Sequence, residues 1–198
     1  MSEWFVKDYY KIFNDFREQV LLFNKIGGKE VTEEGQLHLC REEANELIAE
    51  YNNVAFLKEC CDLFIVSSPV LSQGVLADTI RWVEESVIDV GSTINTLSEG
   101  WDDAGVYFDC AIQILVQLDA DWQKAMQLVL DSNMSKFSRY DQGEHQAYDN
   151  HCKVLECGGR YSNVTWQNVD GWVVWKDENQ KILKGPDYVE ADLSGCVN

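Results

Sequence analysis

Four carboxylates stand in two pairs of equal spacing, Glu43 with Glu46 and Glu59 with Asp62. A separation of three places both members of a pair on one helix face. If a turn at Asn52-Asn53 folds the two segments into an antiparallel hairpin, residues whose numbers sum to 105 lie opposite each other. Glu43 then meets Asp62 and Glu46 meets Glu59, roughly 10 Å from the turn at about 1.5 Å of rise per residue. Four carboxylates so close repel one another or take up protons unless a cation neutralises them. A donor set made only of oxygen suits Mg²⁺, with Mn²⁺ as a substitute. Glu50 continues the Glu43 and Glu46 stripe and could join the site, whereas Glu42 points about a hundred degrees away, toward solvent. Glu-Glu-x-x-Glu is by itself common on solvated acidic faces, so the weight rests on the matched register of the two pairs.

The elements that must position these groups are helical. Leu37, Cys40, Ala44, Leu47, Ile48 and Tyr51, then Leu57, Cys60, Cys61, Phe64 and Ile65, recur at spacings of three and four, which predicts two amphipathic helices joined at Asn52-Asn53. Phe5, Tyr9, Ile12, Phe13, Phe16, Val20 and Phe23 predict an earlier helix, ended by Gly27-Gly28, that packs on the hairpin. Pro69 is expected to kink or end the second hairpin helix. Ile80, Val83, Val87, Val90 and Ile94 predict one further helix, closed by the turn Gly100-Trp101-Asp102-Asp103. Residues 106–118 are apolar almost all round, as a central helix would be, with Asp109 as the one charge. Asp109 is expected either to approach the carboxylates or to face outward. Trp122, Ala125, Met126, Val129 and Phe137 mark the next helix. After Arg160 the period changes to two, and Asp170-Gly171 signals a β-hairpin turn.

The run Glu42-Glu43-Ala44-Asn45-Glu46, twelve residues, then Glu59-Cys60-Cys61-Asp62 resembles the metal-binding core of the all-α nucleoside triphosphate pyrophosphatases, the superfamily of MazG and phosphoribosyl-ATP pyrophosphohydrolase. Asn133-Met134-Ser135-Lys136 and Leu183-Lys184-Gly185-Pro186-Asp187-Tyr188 are similar to signatures of its phage and bacterial branch, and Phe23 to Gly28 is similar to its opening helix end. The resemblance implies a mainly α fold: a helical bundle over residues 1–140, with an inserted helical segment at about 67–104, then a linker and a small C-terminal β-hairpin and tail over 141–198. It implies Mg²⁺-dependent hydrolysis of a (d)NTP between the α and β phosphates to (d)NMP and pyrophosphate. Glu43, Glu46, Glu59 and Asp62 would hold the metal, and Glu46 and Glu59, nearest the turn, would serve the attacking water. Asn133, Lys136, Lys184 and Tyr188 would contact the nucleotide, the last two from a tail folding back as a lid. A homodimer or homotetramer is expected. For Lys136 alone, the plain reading is a cation at a helix C-terminus, and for the tail, an exposed terminal strand.

Sixteen basic against thirty-four acidic residues give a formal charge of -18, which repels nucleic-acid backbones and anionic membranes. Neither polymeric nucleic acid nor a membrane is an expected partner. A nucleotide is compatible, because a bound divalent ion reverses the local field. No apolar signal region and no membrane-length apolar run occur, so a cytoplasmic location is expected. Cys40, Cys60, Cys61 and Cys110 fall on apolar helix faces. Cys152 and Cys157 beside His151 lack a second ligand pair, which makes surface thiols the expectation there rather than zinc. A helical di-iron site needs Glu-x-x-His pairs, and His38, His145 and His151 follow Gly35, Gln142 and Tyr148 at that spacing. The alternative from another class is a non-enzymatic acidic helical interaction module, which the charge also fits.

Overall fold

Helical periodicity governs the chain as far as Met134. The computed structural model describes residues 3–85 and 89–197, with side chains described for 9–83 and 89–197. Among the described residues the helices are α1 (Glu3–Ile26), α2 (Glu33–Ala49), α3 (Asn53–Ser67), α4 (Gln73–Glu85), α5 (Val90–Ser98), α6 (Ala104–Gln117), α7 (Trp122–Met134) and α8 (His145–Cys157), and the strands are β1 (Ser138–Arg139), β2 (Thr165–Val169) and β3 (Trp172–Lys176). The protein is mainly helical with a small antiparallel sheet. The chain forms two compact units, one of Met1–Leu21, Glu30–Leu130 and Asp192–Asn198, the other of Leu22–Lys29 and Asp131–Ala191. Charge divides unevenly between them. The first holds twenty-four of the acidic and seven of the basic residues, a net -17, so the second is near neutral.

In the first unit an aromatic stack ties the early helix to the hairpin, as the spacing predicts. Phe13 stacks on Trp122 with ring centroids 5.0 Å apart and lies 5.6 Å from Phe64, which in turn lies 5.4 Å from the buried Phe108 of the largely buried central helix α6. The side chain of Phe5 lies outside the described residues. Arg17 is buried and donates to the carbonyls of Ser68 and Leu71 at 3.0 and 2.6 Å, closing the chain just past α3. That helix ends at Ser67, and Pro69 sits in the following 3-10 turn, Ser68–Val70, where its missing N–H costs nothing. The expected single helix through Ile80 and Ile94 is two helices, α4 and α5. The Asp89 carboxylate accepts from the Ser92 amide at 3.1 Å, an N-cap that starts α5 afresh. Val87 lies outside the described residues. Leu76, Ile80, Thr93 and Leu97 are buried, and α4 and α5 both pack on α6, so the 67–104 segment is part of the core. No helix among the described residues is long and apolar enough to cross a membrane.

In the second unit the sheet has the order β1-β3-β2. Asp170 and Gly171 both take positive φ, 52° and 83°, the conformation a two-residue hairpin turn requires. The expected hairpin is therefore present, extended by β1 to three strands. Residues 143–159, expected as a linker, form α8. Its Tyr148 and Cys152 pack with Val164, Val173, Trp175 and Leu183, so Cys152 is a core residue rather than a surface thiol, while Cys157 is exposed. The tail lies against this sheet: the Leu183 amide donates to the Trp175 carbonyl at 2.9 Å and the Gly185 amide to the Lys136 carbonyl at 3.0 Å. A Cβ at Gly185 would stand 2.6 Å from that same carbonyl and 2.8 Å from the Trp175 ring. Backbone and a fully buried indole cannot yield cheaply. Gly185→Ala is therefore expected to cost about 1–3 kcal/mol, read as a lower denaturation midpoint; an unchanged midpoint would contradict the tail's placement.

Candidate metal centre

The hairpin is built by its caps as much as by its apolar stripe. Thr32 accepts from the Gly35 amide at 3.1 Å and starts α2, and the Asn52 side chain accepts from the amides of Val54 and Ala55 at 2.9 and 3.1 Å and starts α3. Cys40, Ala44 and Leu47 of α2 are buried, as are Leu57, Cys60, Cys61 and Phe64 of α3, and the two helices pack together. Tyr51, expected on the apolar face, is 96% exposed, because α2 ends at Ala49. Glu43 and Glu46 flank the buried stripe beside Ala44 and Leu47, and α3 carries Glu59 on the facing rim.

Glu43, Glu46 and Glu59 each present an oxygen within 4.8 Å of the other two. Glu46 is exposed and Glu43 half-buried, whereas Glu59 is only 9% exposed and its Oε2 is buried with no hydrogen-bond partner. Asp62 stands outside this trio, yet its charge is the strongest of those acting on Glu43. The cation beside it is Lys58, whose Nζ donates to Asp62 Oδ2 at 2.6 Å and to Glu59 Oε1 at 3.2 Å. The sequence reading missed Lys58. Its signal was present, since a lysine four residues before an aspartate on a helix shares that aspartate's face.

Burial, then the charges of Asp62, Glu46 and Glu59, push the Glu43 carboxyl up to about 7, against a partial pull down from Lys58. Burial raises Glu59 as well, and Lys58 opposes that shift. For Lys58, burial lowers the pKa but the charges and hydrogen bonds of Asp62 and Glu59 outweigh it and raise it. Burial and the Glu43 charge push the Cys40 thiol up to about 12, which keeps it an inert packing group.

The neighbouring acids are otherwise engaged. Glu42 is exposed and lies 3.6 Å from His38 on its own helix. Glu50 leaves the helix and accepts from the amides of Tyr51 and Asn52 at 2.9 and 3.0 Å, which ends its stripe with the other glutamates. Asp109 takes neither expected place: half-buried, it accepts from the Thr79 hydroxyl at 2.5 Å where α4 packs on α6. Asn133, Lys136, Lys184 and Tyr188 all lie in the second unit. There Lys136 donates to the Asn133 side chain at 2.5 Å, and Lys184 sits over the Tyr188 ring, 4.1 Å from its centroid. His151 Nε2 lies 3.0 Å from the Lys184 carbonyl oxygen.

The trio fits a hard divalent cation. Its donors are all oxygen and come from two packed helices, and Glu59 also carries a buried carboxylate oxygen that has no hydrogen-bond partner. Compared with known proteins, the chain matches no family model, no curated protein and no solved structure.

Because the native state holds a proton on Glu43 up to about pH 7 and the unfolded chain releases it near 4.5, the metal-free fold loses stability as pH rises through that window. Glu43→Gln removes the group. In the presence of a chelator, its melting temperature is expected to exceed that of the wild type at pH 8 and to be no higher at pH 4.5. A constant difference across the range would rule out the raised carboxyl.

Proposed function

We propose that this chain is a Mg²⁺-dependent nucleoside triphosphate pyrophosphohydrolase of the all-α type, converting a (d)NTP to (d)NMP and pyrophosphate. The observation that carries the reading is the meeting of carboxylate oxygens of Glu43, Glu46 and Glu59 from two helices within 4.8 Å, beside a Glu59 that keeps one buried oxygen without a partner. The resemblance of this segment to the pyrophosphatase core supplies the reaction. Glu43 and Glu59 would hold the metal, and Asp62, now paired with Lys58, would be a further ligand. Bound Mg²⁺ supplies neutralisation of charge on the phosphate oxygens. Glu46, the exposed member, is placed to orient a water and accept its proton. The water oxygen joins one phosphorus, and the bond between the α and β phosphates breaks.

The same residues support one second reading. Lys58 already offsets part of the cluster's charge, as it would in a metal-free ion-pair network on an acidic interaction module. One assay separates the two. Pyrophosphate release from a (d)NTP mixture is expected with Mg²⁺ or Mn²⁺, to be weaker with Ca²⁺, and to vanish on chelation. Glu43→Gln, Glu46→Gln, Glu59→Gln and Asp62→Asn are each expected to lower it by about a hundredfold or more. Glu42→Gln, turned toward His38, is expected to stay near wild type. Four active amide variants would favour the interaction module.

A homo-oligomer belongs to the same proposal, supported by large apolar side chains left exposed on the first unit, Val75 and Trp82 on α4 and Trp101. Light scattering is expected to give a multiple of 22.7 kDa; the monomer mass at all working concentrations would refute it.

A further inference from the structure

We propose that Lys58 is a resident counter-cation that couples metal binding to polyphosphate binding: it holds Glu59 and Asp62 in the metal-free site and passes to the phosphates when a divalent ion takes those carboxylates. This rests on the pyrophosphohydrolase reading and adds a residue that neither the motif nor its spacing assigns.

The geometry gives three reasons. First, the ammonium bonds the same two carboxylates that the metal needs, at 3.2 Å to Glu59 and 2.6 Å to Asp62. A divalent ion drawing on those groups must displace it or share them. Second, the lysine side chain is 42% exposed while those of Glu59 and Asp62 are 12% and 20% exposed. Its flexible stem therefore enters the cluster from solvent and can leave by the same route. Third, one ammonium does not satisfy the cluster, since Glu59 Oε2 stays bare. The grip is strong enough to hold the site and incomplete enough to be exchanged.

A released ammonium stays tethered one turn from Asp62, in a unit with only seven basic residues against twenty-four acidic ones. An arriving polyphosphate is the anion best able to engage it there. Free Mg²⁺ must break the Lys58 pairs without replacement, whereas Mg²⁺ entering with a polyphosphate lets the ammonium re-pair. Each ligand therefore raises the affinity of the other by the same factor.

The test is calorimetric titration of Mg²⁺ into chelator-treated wild type, Lys58→Gln and Lys58→Arg, with and without inorganic pyrophosphate, corrected for the Mg²⁺ that pyrophosphate itself binds. Lys58→Gln is expected to bind Mg²⁺ alone about three- to tenfold tighter than wild type and to lose most of the gain that pyrophosphate confers. A structural role would not tighten metal binding. Lys58→Arg, whose planar fork grips both carboxylates, is expected to bind Mg²⁺ alone more weakly, and it decides the matter if Lys58→Gln does not fold. Lys58→Gln binding no tighter than wild type, or Lys58→Arg binding no weaker, overturns the role of Lys58 and leaves the metal centre standing. Wild type that takes up no Mg²⁺ overturns the pyrophosphohydrolase reading and this proposal with it.

Discussion

Electrostatic repulsion among Glu43, Glu46, Glu59 and Asp62 is the constraint from which the chemistry of this protein follows. Packing α2 on α3, with Cys40, Ala44, Leu57 and Cys60 buried, brings the acidic rims of the two helices together. Two like charges 4 Å apart cost about 4 kcal/mol at an effective dielectric of about 20, a large part of the roughly 5–15 kcal/mol by which a domain is stable. The ammonium of Lys58 offsets part of that load, and burial with the neighbouring charges raises the Glu43 carboxyl toward its neutral form. Ammonium and proton are both replaceable. Were a divalent ion bound, it would compete with both, and cation binding would then be tied to stability.

The second unit deals with its cations differently. Lys25 lies 3.7 Å from Asp170, Lys136 bonds Asn133, Arg139 stacks over Trp172 at 3.7 Å and Lys184 over Tyr188. Near neutrality there comes from ten acidic against nine basic residues, and these cations are engaged locally. Lys184 and Tyr188, expected to meet a nucleotide, hold each other instead in a contact of about 0.5–1 kcal/mol. Such a contact is surrendered readily to a phosphate, so it neither supplies nor forbids the expected role. What is anchored is the backbone between them, through Gly185 under Trp175.

Legibility in the sequence followed the length of each signal. The stripe from Tyr9 to Phe23 and the apolar run of α6 span several turns, and both helices lie where the spacing puts them. Asp170-Gly171 was legible because positive φ at two successive residues admits few side chains. The break between α4 and α5 was masked: Val83, Val87, Val90 and Ile94 keep helical spacing across it, and the Asp89 cap outweighs a pattern that local sequence alone favours. A two-residue strand such as β1 carries no period at all, and α8 hides its Tyr148 and Cys152 face among polar residues. At the candidate metal centre the carboxylates were legible from paired spacing; the i,i+4 spacing of Lys58 and Asp62 was equally present, but such a pair is common on solvated helix faces and does not by itself mark a site.

What separates a ligand site from a self-contained ion-pair network is the state of its least accessible atom. A network selected for stability alone would be expected to satisfy its most buried oxygen first, since leaving it bare costs about 1–3 kcal/mol. Here Lys58 bonds Oε1 of Glu59 and the more exposed Asp62, while Oε2 remains buried without a partner. The lysine thus engages the outer part of the cluster and leaves the inner part unsatisfied. Glu43 and Glu46 each bring a carboxylate oxygen within 4.8 Å of one on Glu59, and neither can donate a hydrogen bond while ionised. A small divalent cation, were one bound there, would draw on oxygens of all three glutamates at once.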